Sequence, residues 1–332
     1  MVLITPEAPY PPLELATRVF SVDAWSDPYK AYDELGAQTK RALTRLLPDD
    51  WSFRGKRVLD FGCGAGRTLR HFLPEAREGE LWGADIDAAS IEWLQEALCP
   101  PLNAWRCASG PPLGLEHGSF DLIWAISVFT HLTDTSVPWL LELRHLLKPG
   151  GLLIASYMGR WNSEFFAGEP WEEDRVGMNV LRHTQDWDAG GPAVLISDWW
   201  VREHWGRAFE ILEIAPQIQN MSWPVMRRRE VELTTEEVEA PADDPREYRA
   251  LRHNLRQVQR ELSEATERER YERSSRQQLE QLRAEHERLL EEQAQALAKL
   301  RFDYESSLSW RLTRPLRGGA RSLRSLRASR GR

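Results

Sequence analysis

The chain has 332 residues, a formal net charge of -8 and 42% hydrophobic residues. This length suits one domain of ordinary size plus an appendage, and the acidic balance argues against nucleic acid as the main partner, because its phosphates would be repelled. The three cysteines lack metal-ligand spacing, which argues against a metal site and a disulfide framework. With no signal-peptide pattern and no apolar run near the roughly 18 residues of a membrane span, we expect a cytoplasmic protein.

Residues 1–54 are a predicted helical lead-in, in which the Asp27-Pro28 pair is typical of a helix start. Residues 55–232 alternate short apolar runs with helical patterns. Such runs predict strands of a parallel sheet that is buried on both faces, with helices as crossovers. We therefore expect an α/β domain here. Its predicted strands include Arg57–Asp60, Glu80–Asp85, Phe120–Ala125, Gly151–Ser156, Phe209–Ala215 and Trp223–Arg229.

An insertion rich in tryptophan, glycine and acidic residues covers residues 157–196. It is too long for an ordinary connection, so we interpret it as a lid or substrate-binding segment. Aromatic faces suit stacking on sugar rings or flat ligands, and ordinary core and lid packing is the alternative for each tryptophan. The tryptophans of the insertion and of the predicted helix after it are Trp161, Trp171, Trp187, Trp199, Trp200 and Trp205.

The chain changes character after the α/β domain. Residues 233–245 are acidic and contain proline, and we interpret them as a linker. Residues 246–305 contain neither proline nor glycine and place apolar residues at 3-4 spacing, which predicts a coiled-coil helix of roughly 90 Å. A single solvated helix held by Glu–Arg pairs is the alternative, because the middle of the seam is polar. Residues 306–332 form a basic tail with eight arginines and no acidic residue.

A glycine-rich loop, Asp60-Phe61-Gly62-Cys63-Gly64-Ala65-Gly66, follows the first strand of the α/β domain and is expected to open a helix through His71. Alternate glycines allow a tight turn and the close approach of a ligand, and a helix N-terminus offers free N–H groups. A dinucleotide site would show G-x-G-x-x-G, whereas this loop reads D-x-G-x-G-x-G. An acidic residue at the strand end suits an ammonium group rather than a pyrophosphate.

A second acidic residue, Asp85, ends the next strand about 20 residues after the loop. A carboxylate there can accept hydrogen bonds from both hydroxyls of a ribose. The alternative is that Asp85 or Asp87 caps the following helix. We predict that Asp85 is the ribose ligand and that Asp87 is the cap.

Four segments, Val58–Phe72, Gly83–Asp87, Ser119–Leu132 and Leu146–Ser156, together resemble the class I S-adenosylmethionine-dependent methyltransferases. The resemblance covers roughly residues 40–230. It implies a Rossmann-like fold with a mostly parallel seven-stranded sheet, here followed by the long coiled-coil helix, and S-adenosyl-L-methionine as the cofactor. Carried onto this chain, the cofactor-binding positions of the family are Asp60, Gly62, Cys63, Gly64, Gly66, Asp85, Ile86 and Ile126, with Ser127 beside the last.

The segment after the third strand departs from that family's pattern. The family often has an acidic residue there, which accepts from the adenine amino group, but Trp105–Gly110 contains none. We therefore assign the adenine contact to Ala108 and Ser109. Ala108 would offer its backbone and Ser109 its side chain.

The acceptor side of a methyl transfer needs alignment, and a base when the acceptor is a hydroxyl. His131 follows the fourth strand, where the resemblance places the acceptor, and a histidine can take a proton near neutral pH. Structural packing against the lid is the alternative. His204, on the tryptophan-rich helix, is the second catalytic candidate, and His183 in the insertion is the third.

The tail segment from Ser309 to Arg317 resembles a short motif that follows coiled coils in bacterial glycosyltransferases and methyltransferases of surface-polysaccharide synthesis. This resemblance implies methylation of a sugar hydroxyl on a saccharide or glycolipid acceptor, with a glycosyltransferase as a partner. The coil implies a homo-oligomer. The tail, with Trp310, could lie on the anionic inner face of a membrane, and a disordered tail is the alternative.

Two other hypotheses are kept for the whole chain. One is a methyltransferase for a small metabolite or protein, in which the coil only dimerises. The other is a non-catalytic coiled-coil scaffold with a degenerate methyltransferase domain, which the intact loop with Asp60, and Asp85 after it, speak against.

Overall fold

The computed structural model describes residues 8–18, 27–183 and 191–308. Nine strands are assigned among these residues. They are β1 Arg57–Phe61, β2 Glu80–Asp85, β3 Asn103–Arg106, β4 Phe120–Ala125, β5 Leu147–Ala155, β6 Met178–Leu181, β7 Ala193–Ile196, β8 Phe209–Ile218 and β9 Met221–Arg228.

Seven of these strands form one sheet in the order β3-β2-β1-β4-β5-β9-β8. The first five are parallel, and β9 runs antiparallel to both β5 and β8. Strands β1 and β4 read as continuous apolar runs because both faces of the sheet are covered by buried side chains. This confirms the predicted Rossmann-like class I methyltransferase fold with a mostly parallel seven-stranded sheet.

Helices cover the sheet and precede and follow it. The α-helices are α1 Leu13–Ala16, α2 Pro28–Leu46, α3 Ala88–Ala97, α4 Ser136–Leu146, α5 Ser163–Ala167, α6 Asp198–Trp200, α7 Gly206–Ala208, α8 Thr235–Glu239 and α9 Pro245–Ser306. Helix α2 begins as predicted, because the Asp27 carboxylate accepts hydrogen bonds from the backbone N–H groups of Tyr29 and Lys30, both at 3.1 Å. A π-helical turn, Val201–Trp205, joins α6 to α7.

The segment after the glycine-rich loop differs from the expected α-helix. It consists of turns followed by the 3-10 helix Leu69–Phe72. Gly66 has a φ of 76°, in the left-handed region, so a regular helix cannot begin before Arg67. Leu73 and Pro74 stay in the αR region, but Pro74 has no N–H with which to continue the helical hydrogen bonds. Too few residues remain between Gly66 and Pro74 for a stable α-helix.

The insertion predicted at residues 157–196 contains an antiparallel ribbon of β6 and β7. The ribbon is fixed to the sheet's carboxyl edge, because the Val194 N–H donates to the Thr130 carbonyl at 2.9 Å and the Ile196 N–H donates to the Met158 carbonyl at 2.7 Å. Trp187 and Gly190 lie outside the described residues. The described part is therefore an ordered segment packed beside the ends of β4 and β5.

The C-terminal part of the described chain divides within the long helix α9. The described residues up to Glu261 form one compact unit and those from Leu262 to Leu308 a second, and the domain boundaries at 232 and 246 stay a prediction. Within the predicted linker, α8 has a capping box between Thr234 and Glu237, and its Val238 side chain is fully buried. With one apolar residue among three acidic ones, this short helix has no amphipathic pattern that could have indicated its buried face.

The second unit, as far as it is described, is the part of α9 from Leu262 to Ser306. Its large apolar side chains are exposed, as are the charged ones around them. They include Tyr271, Leu279, Leu282, Leu289, Leu290, Leu297, Leu300, Phe302 and Tyr304. Among the residues that the structure describes, no helix combines the length and the apolar character needed to cross a bilayer.

Candidate functional site

The sheet brings the predicted cofactor residues to one edge. In the parallel register, Asp60 at the end of β1 lies beside Gly83 of β2 and Trp124 of β4, and Asp85 lies beside Arg106 of β3. The strand order reverses between β1 and β4. Ligands of open α/β sheets bind in the crevice at such a point, outside the carboxyl ends of the strands.

The three glycines of the loop have distinct surroundings. All three have positive φ, between 51° and 80°, a backbone conformation that residues other than glycine rarely adopt. A Cβ at Gly62 would lie 2.3 Å from Val128 Cγ2, and a Cβ at Gly66 would lie 2.6 Å from Leu94 Cδ2. A Cβ at Gly64 would meet no atom within 4 Å among the described residues. Gly62 and Gly66 therefore serve packing, and Gly64 faces open space in which a ligand can approach the backbone.

Asp85 is held rigidly beside Gly64. One carboxylate oxygen accepts from the Gly64 N–H at 2.7 Å, and the other accepts from the Asp87 N–H at 2.8 Å. Burial raises the pKa of Asp85, and these backbone hydrogen bonds oppose the rise. Each oxygen keeps a further lone pair, as two ribose hydroxyls require. The Asp87 carboxylate accepts from the Ser90 N–H at 3.1 Å and caps α3, which is the role that the sequence predicted for Asp87.

Asp60 is the least satisfied charged group of the site. Its side chain is only 4% exposed, and its Oδ2 atom has no hydrogen-bond partner among the described residues. Burial raises the pKa of Asp60 to about 7, an effect that Trp124 and Arg67 oppose and Asp85 reinforces. A buried carboxyl group without a cation favours a ligand that brings one.

The predicted adenine contacts lie at the rim of the same crevice. Ile86 is 39% exposed, which is unusual for a large apolar residue after a buried strand. Ala108 and Ser109 are exposed as well, and the Ser109 carbonyl accepts from the Trp139 indole at 3.3 Å. The side chain of Cys63 is buried, with its thiol donating to the Gly64 carbonyl. Only the backbone of Cys63 can therefore face a cofactor.

The segment after β4 closes the crevice on the other side. Ile126 is half-buried and Ser127 is exposed. Ser127 has a φ of 63°, and its N–H donates to Ser156 Oγ at 2.7 Å. This strained backbone turns the chain over the glycine loop, so that Val128 packs against Gly62. Ile126 and Ser127 lie directly after β4, and their role in closing the cofactor pocket stays a prediction.

His131 continues this turn, and its Nε2 atom has no hydrogen-bond partner among the described residues. The backbone N–H of His131 donates to the Val128 carbonyl at 3.0 Å, and its ring Nδ1 lies 2.9 Å from the Pro192 carbonyl. A carbonyl only accepts, so Nδ1 carries the hydrogen, and Nε2 is left with its lone pair. Burial lowers the pKa of His131, while the Pro192 hydrogen bond raises it in part. The ring is therefore neutral near pH 7 and able to accept a proton.

His204 has no free nitrogen. It is 2% exposed, its Nδ1 lies 2.9 Å from the Val238 carbonyl, and its Nε2 lies 3.0 Å from a Glu247 carboxylate oxygen. Trp200 stacks on the ring with centroids 4.3 Å apart. These contacts join α8 and the start of α9 to the π-helical turn. They give His204 a structural place and leave it no lone pair for catalysis.

The tryptophans divide between core and surface. Trp199, Trp200 and Trp205 are at most 8% exposed and belong to the hydrophobic core. Trp171 is half-buried, with its indole donating to Glu173 at 2.7 Å. Trp161 is 44% exposed. Core packing thus explains most of the tryptophan density that suggested sugar stacking. His183 is exposed, and no group of three potential metal ligands occurs among the described residues.

Two residues beside the loop were missed by sequence reasoning. The Tyr32 hydroxyl, from α2, donates to the Ala65 carbonyl at 2.8 Å. Arg67 directly follows the third glycine, and burial lowers the pKa of its guanidinium. A cation placed immediately after a ligand-binding loop is a signal that could have found Arg67. Nothing local to Tyr32 indicates its contact, because the loop is 33 residues away along the chain.

Comparisons with known proteins agree with this geometry. The family model described as a methyltransferase domain matches residues 59–153. The chain is 32% identical over 160 residues to the ubiquinone biosynthesis O-methyltransferase of Cereibacter sphaeroides, an alignment that covers 46% of this chain and 60% of that protein. It is also 32% identical over 115 residues to the tRNA U34 carboxymethyltransferase of Idiomarina loihiensis, covering 33% of this chain and 35% of that protein.

Among solved structures, the S-adenosylmethionine dependent methyltransferase from Mesorhizobium loti is similar, with a TM-score of 0.44 and 19% identity over 58% of this chain and 99% of that one. The chain spans about 60% of the length of the first curated relatives it matches. Residues 59–153 are therefore similar in sequence to a methyltransferase domain.

Proposed function

We propose that this chain is a methyltransferase that uses S-adenosylmethionine to methylate a hydroxyl group of an acceptor molecule. The observation that carries the proposal is the arrangement at the carboxyl edge of the sheet. There the carboxylate of Asp85 is anchored by the Gly64 amide, Asp60 Oδ2 lacks a hydrogen-bond partner among the described residues, and the backbone of Gly64 is open. When bound, S-adenosylmethionine supplies a methyl group on a sulfonium sulfur, which an acceptor oxygen can attack.

The residues present fit that cofactor part by part. The orphaned Asp60 carboxyl group suits an ammonium group, and Gly64 leaves its backbone open to close approach. The fixed carboxylate of Asp85 suits the two hydroxyls of a ribose. The exposed side chain of Ile86, with Ala108 beyond it, offers an apolar surface for adenine.

His131 would act as the general base. Its Nδ1 is fixed by the Pro192 carbonyl, so Nε2 points a lone pair away from that contact. Its lowered pKa keeps the ring neutral at pH 7. The His131 backbone N–H bonds to the carbonyl of Val128, which packs on the glycine loop, and this supports a place for the base beside the cofactor residues. A base at this place supports a hydroxyl acceptor, whose proton must leave as the oxygen is methylated.

The acceptor hydroxyl could belong to a small molecule or to a sugar, and two observations favour the small molecule. The Cereibacter sphaeroides relative is called a ubiquinone biosynthesis O-methyltransferase, which supports a hydroxyl on a small molecule. A sugar hydroxyl of a surface glycan or glycolipid is the second candidate, with exposed Trp161 as a stacking surface. Burial of Trp199, Trp200 and Trp205 removes most of the aromatic support for a sugar. We therefore place a small-molecule hydroxyl first.

The test is methyl transfer from methyl-labelled S-adenosylmethionine to a panel of phenolic, lipid-linked and nucleotide-sugar acceptors. We expect the label on an acceptor oxygen, with phenolic compounds preferred. A product labelled on nitrogen or carbon would contradict the hydroxyl proposal. A chain that binds no cofactor would support the scaffold hypothesis instead.

We further propose that α9 associates with a second copy of the chain. The support is the exposure of apolar side chains that share one helical stripe in the second unit, Leu279, Leu290, Leu297, Leu300 and Tyr304. Light scattering should give an oligomer for the full chain and a monomer after Leu290→Glu with Leu297→Glu. A monomeric full chain would rule the association out. The tail from 309 onward lies outside the described residues, so membrane contact and a glycosyltransferase partner stay predictions.

A further inference from the structure

His204 and Glu247 form a buried pair that the proposed methyl transfer does not use. His204 lies on the π-helical turn and is 2% exposed, and Glu247 lies on the first turn of α9 and is 6% exposed. The His204 Nδ1 atom lies 2.9 Å from the carbonyl oxygen of Val238 in α8, and its Nε2 atom lies 3.0 Å from a Glu247 carboxylate oxygen. The imidazole ring therefore connects α8 and the start of α9 to the π-helical turn.

The hydrogen bonds of this pair require two protons. A carbonyl oxygen only accepts, so the Nδ1 atom must carry a hydrogen. The contact between Nε2 and the carboxylate needs one proton more, because a nitrogen lone pair and a carboxylate would repel each other. The Trp200 ring stacks on the imidazole with centroids 4.3 Å apart and an interplanar angle of 18°, and an aromatic face favours a positive charge. These contacts favour the second proton on Nε2, as in an imidazolium paired with a carboxylate.

We propose that the His204–Glu247 pair is a pH-sensitive latch, which fastens α8 and the first turns of α9 while His204 is an imidazolium and releases them when the second proton is lost to solvent. Loss of that proton leaves the Nε2 lone pair facing the Glu247 carboxylate in a site closed to water, where an unpaired charge is costly. The two helices yield rather than the turn, since Trp205 of the turn packs on the rings of Phe129 and Tyr157, with centroids 4.8 and 6.2 Å away.

The other charged groups around the latch keep their charge as pH rises from about 7 to about 9.5, because carboxylates are ionised and guanidinium groups protonated throughout that range. Arg207 donates to the same Val238 carbonyl at 3.1 Å, and Arg246 of α9 pairs with Asp244 at 2.7 Å. Burial lowers the pKa of His253 on α9, so that ring is already neutral above pH 7. The remaining charged residues of α6, the π-helical turn and α8 are exposed, and they are Asp198, Arg202, Glu203, Glu236, Glu237 and Glu239.

The latch should weaken as pH rises. An exposed histidine loses its proton near pH 6.5, so above that pH the released state has one proton fewer than the fastened state. The equilibrium between the two states should therefore shift toward release by up to about tenfold for each pH unit above about 7. Neither the cofactor nor the acceptor enters this equilibrium.

The first experiment measures amide hydrogen exchange of the full chain by mass spectrometry from about pH 7 to about pH 9.5, with the rates corrected for the intrinsic effect of pH. Peptides from residues 235–254 should lose protection by up to about tenfold for each pH unit. Peptides from β4 report opening of the whole sheet and should lose less. Equal pH profiles for the two regions would overturn the inference, and this test needs no variant.

The second experiment repeats the exchange measurement on Glu247→Gln, with Glu239→Gln as the matched control at an exposed glutamate of α8. A glutamine amide can donate to the Nε2 lone pair of a neutral ring, so the contact no longer needs the second proton. Residues 235–254 of Glu247→Gln should therefore show no extra loss of protection as pH rises, whereas the control should keep the slope of the unaltered chain. An unchanged slope in Glu247→Gln would refute the latch.

The proton itself can be observed in the unaltered chain by nitrogen NMR of labelled histidines. At pH 8 exposed histidines are neutral, so one imidazole among the eight of the chain should still carry hydrogens on both nitrogens. A spectrum in which all eight rings are neutral would show that His204 is not an imidazolium and would overturn the proposal.

Discussion

Two carboxylates at the carboxyl edge of the sheet are held in opposite ways. Asp85 receives two backbone N–H groups and is fixed before any ligand arrives. Asp60 is buried, and its Oδ2 atom has no partner among the described residues, so burial raises its pKa to about 7. The first carboxylate is preorganised for neutral hydroxyls. The second is an incomplete ion pair that a cationic group would complete.

The state of Asp60 predicts a pH-dependent cofactor affinity. The free folded protein holds a proton on Asp60 below about pH 7, and an ammonium group favours the ionised form. Binding must therefore release a proton at acidic pH, and the affinity should fall by up to about tenfold for each pH unit below 7. Titration of S-adenosylhomocysteine between pH 5.5 and 8 measures this. Asp60→Asn should weaken binding and flatten the profile. An unaltered chain with a flat profile would contradict the assignment.

The same pKa gives the sign of a stability effect. The folded pKa of Asp60 lies above its ordinary value of 3.8. The folded state therefore binds more protons than the unfolded state between these values, and the cofactor-free protein loses stability as pH rises from about 4 to about 7. A ligand that pairs with Asp60 would restore that stability.

His131 predicts a rate effect that is separate from cofactor binding. His131→Gln removes the lone pair on Nε2 and should lower kcat by about 100-fold or more, with the affinity for S-adenosylhomocysteine unchanged. His183→Gln, at an exposed histidine of the insertion, is the control and should keep full activity. Burial lowers the pKa of His131 from its ordinary value of 6.5. The kcat of the unaltered chain should therefore rise with pH and reach its plateau at a lower pH than a histidine of ordinary pKa would give. Retained activity in His131→Gln would exclude this base.

At the scale of elements, the glycine loop has one glycine, Gly64, that is open to a ligand and two, Gly62 and Gly66, that pack against side chains. Gly64 and Gly150 both have positive φ, 51° and 73°, and neither has an atom of the described residues near the place of a Cβ. Alanine at either site should cost about 1–2 kcal/mol of stability through the backbone alone. Only Gly64→Ala should also weaken S-adenosylhomocysteine binding, because only Gly64 borders the crevice. Thermal unfolding and calorimetry on the two variants compare them directly, and equal affinity in both would place the cofactor elsewhere.

The elements that sequence could predict are those with a strong local pattern. Strands β1, β2, β4 and β5 read as apolar runs because both faces are covered, and Asp27 with Pro28 marked the start of α2. The 3-10 helix after the loop escaped prediction, since the left-handed φ of Gly66 is set by its packing against Leu94. Helix α8 escaped as well, since its single buried side chain, Val238, depends on a neighbour distant in sequence.

Some features of the candidate site could be predicted from local sequence, and others depend on contacts between residues far apart in the chain. Asp60, Asp85 and Ile126 lie at strand ends, so the parallel order alone brings them to one edge. The sequence ranked His131 ahead of His204 and His183 by its place after the fourth strand, but it could not show which ring keeps a lone pair. The contacts of His131 with Pro192 and of His204 with Glu247 join residues 61 and 43 positions apart, which no local pattern indicates.

At the scale of the whole molecule, the compact unit extends to Glu261 and includes the start of α9. Glu247 and Ala250 are 6% and 2% exposed, and the Asn254 amide donates to the Met178 carbonyl at 2.5 Å. The surface ion pair of Arg249 with Asp174 adds little to stability. The first turns of α9 therefore belong to the core of this unit.

This boundary predicts that two truncations behave differently. A chain that ends at Glu261 should unfold at the same temperature as unit 1 of the full chain and bind S-adenosylhomocysteine equally well. A chain that ends at 245 loses Glu247, the partner of buried His204, and should be destabilised by about 3 kcal/mol or more. Thermal unfolding of both forms measures the difference. Equal stability of the two would show that the compact unit ends at residue 245.

The central claim is that the crevice at Asp60, Gly64 and Asp85 holds S-adenosylmethionine. Titration calorimetry of S-adenosylhomocysteine into the full chain tests it most directly, without knowledge of the acceptor. We predict one site for each chain, with a dissociation constant in the micromolar range, about -8 kcal/mol of binding free energy. The absence of binding heat at near-millimolar ligand, at a pH above 7 where Asp60 is ionised, would contradict the claim.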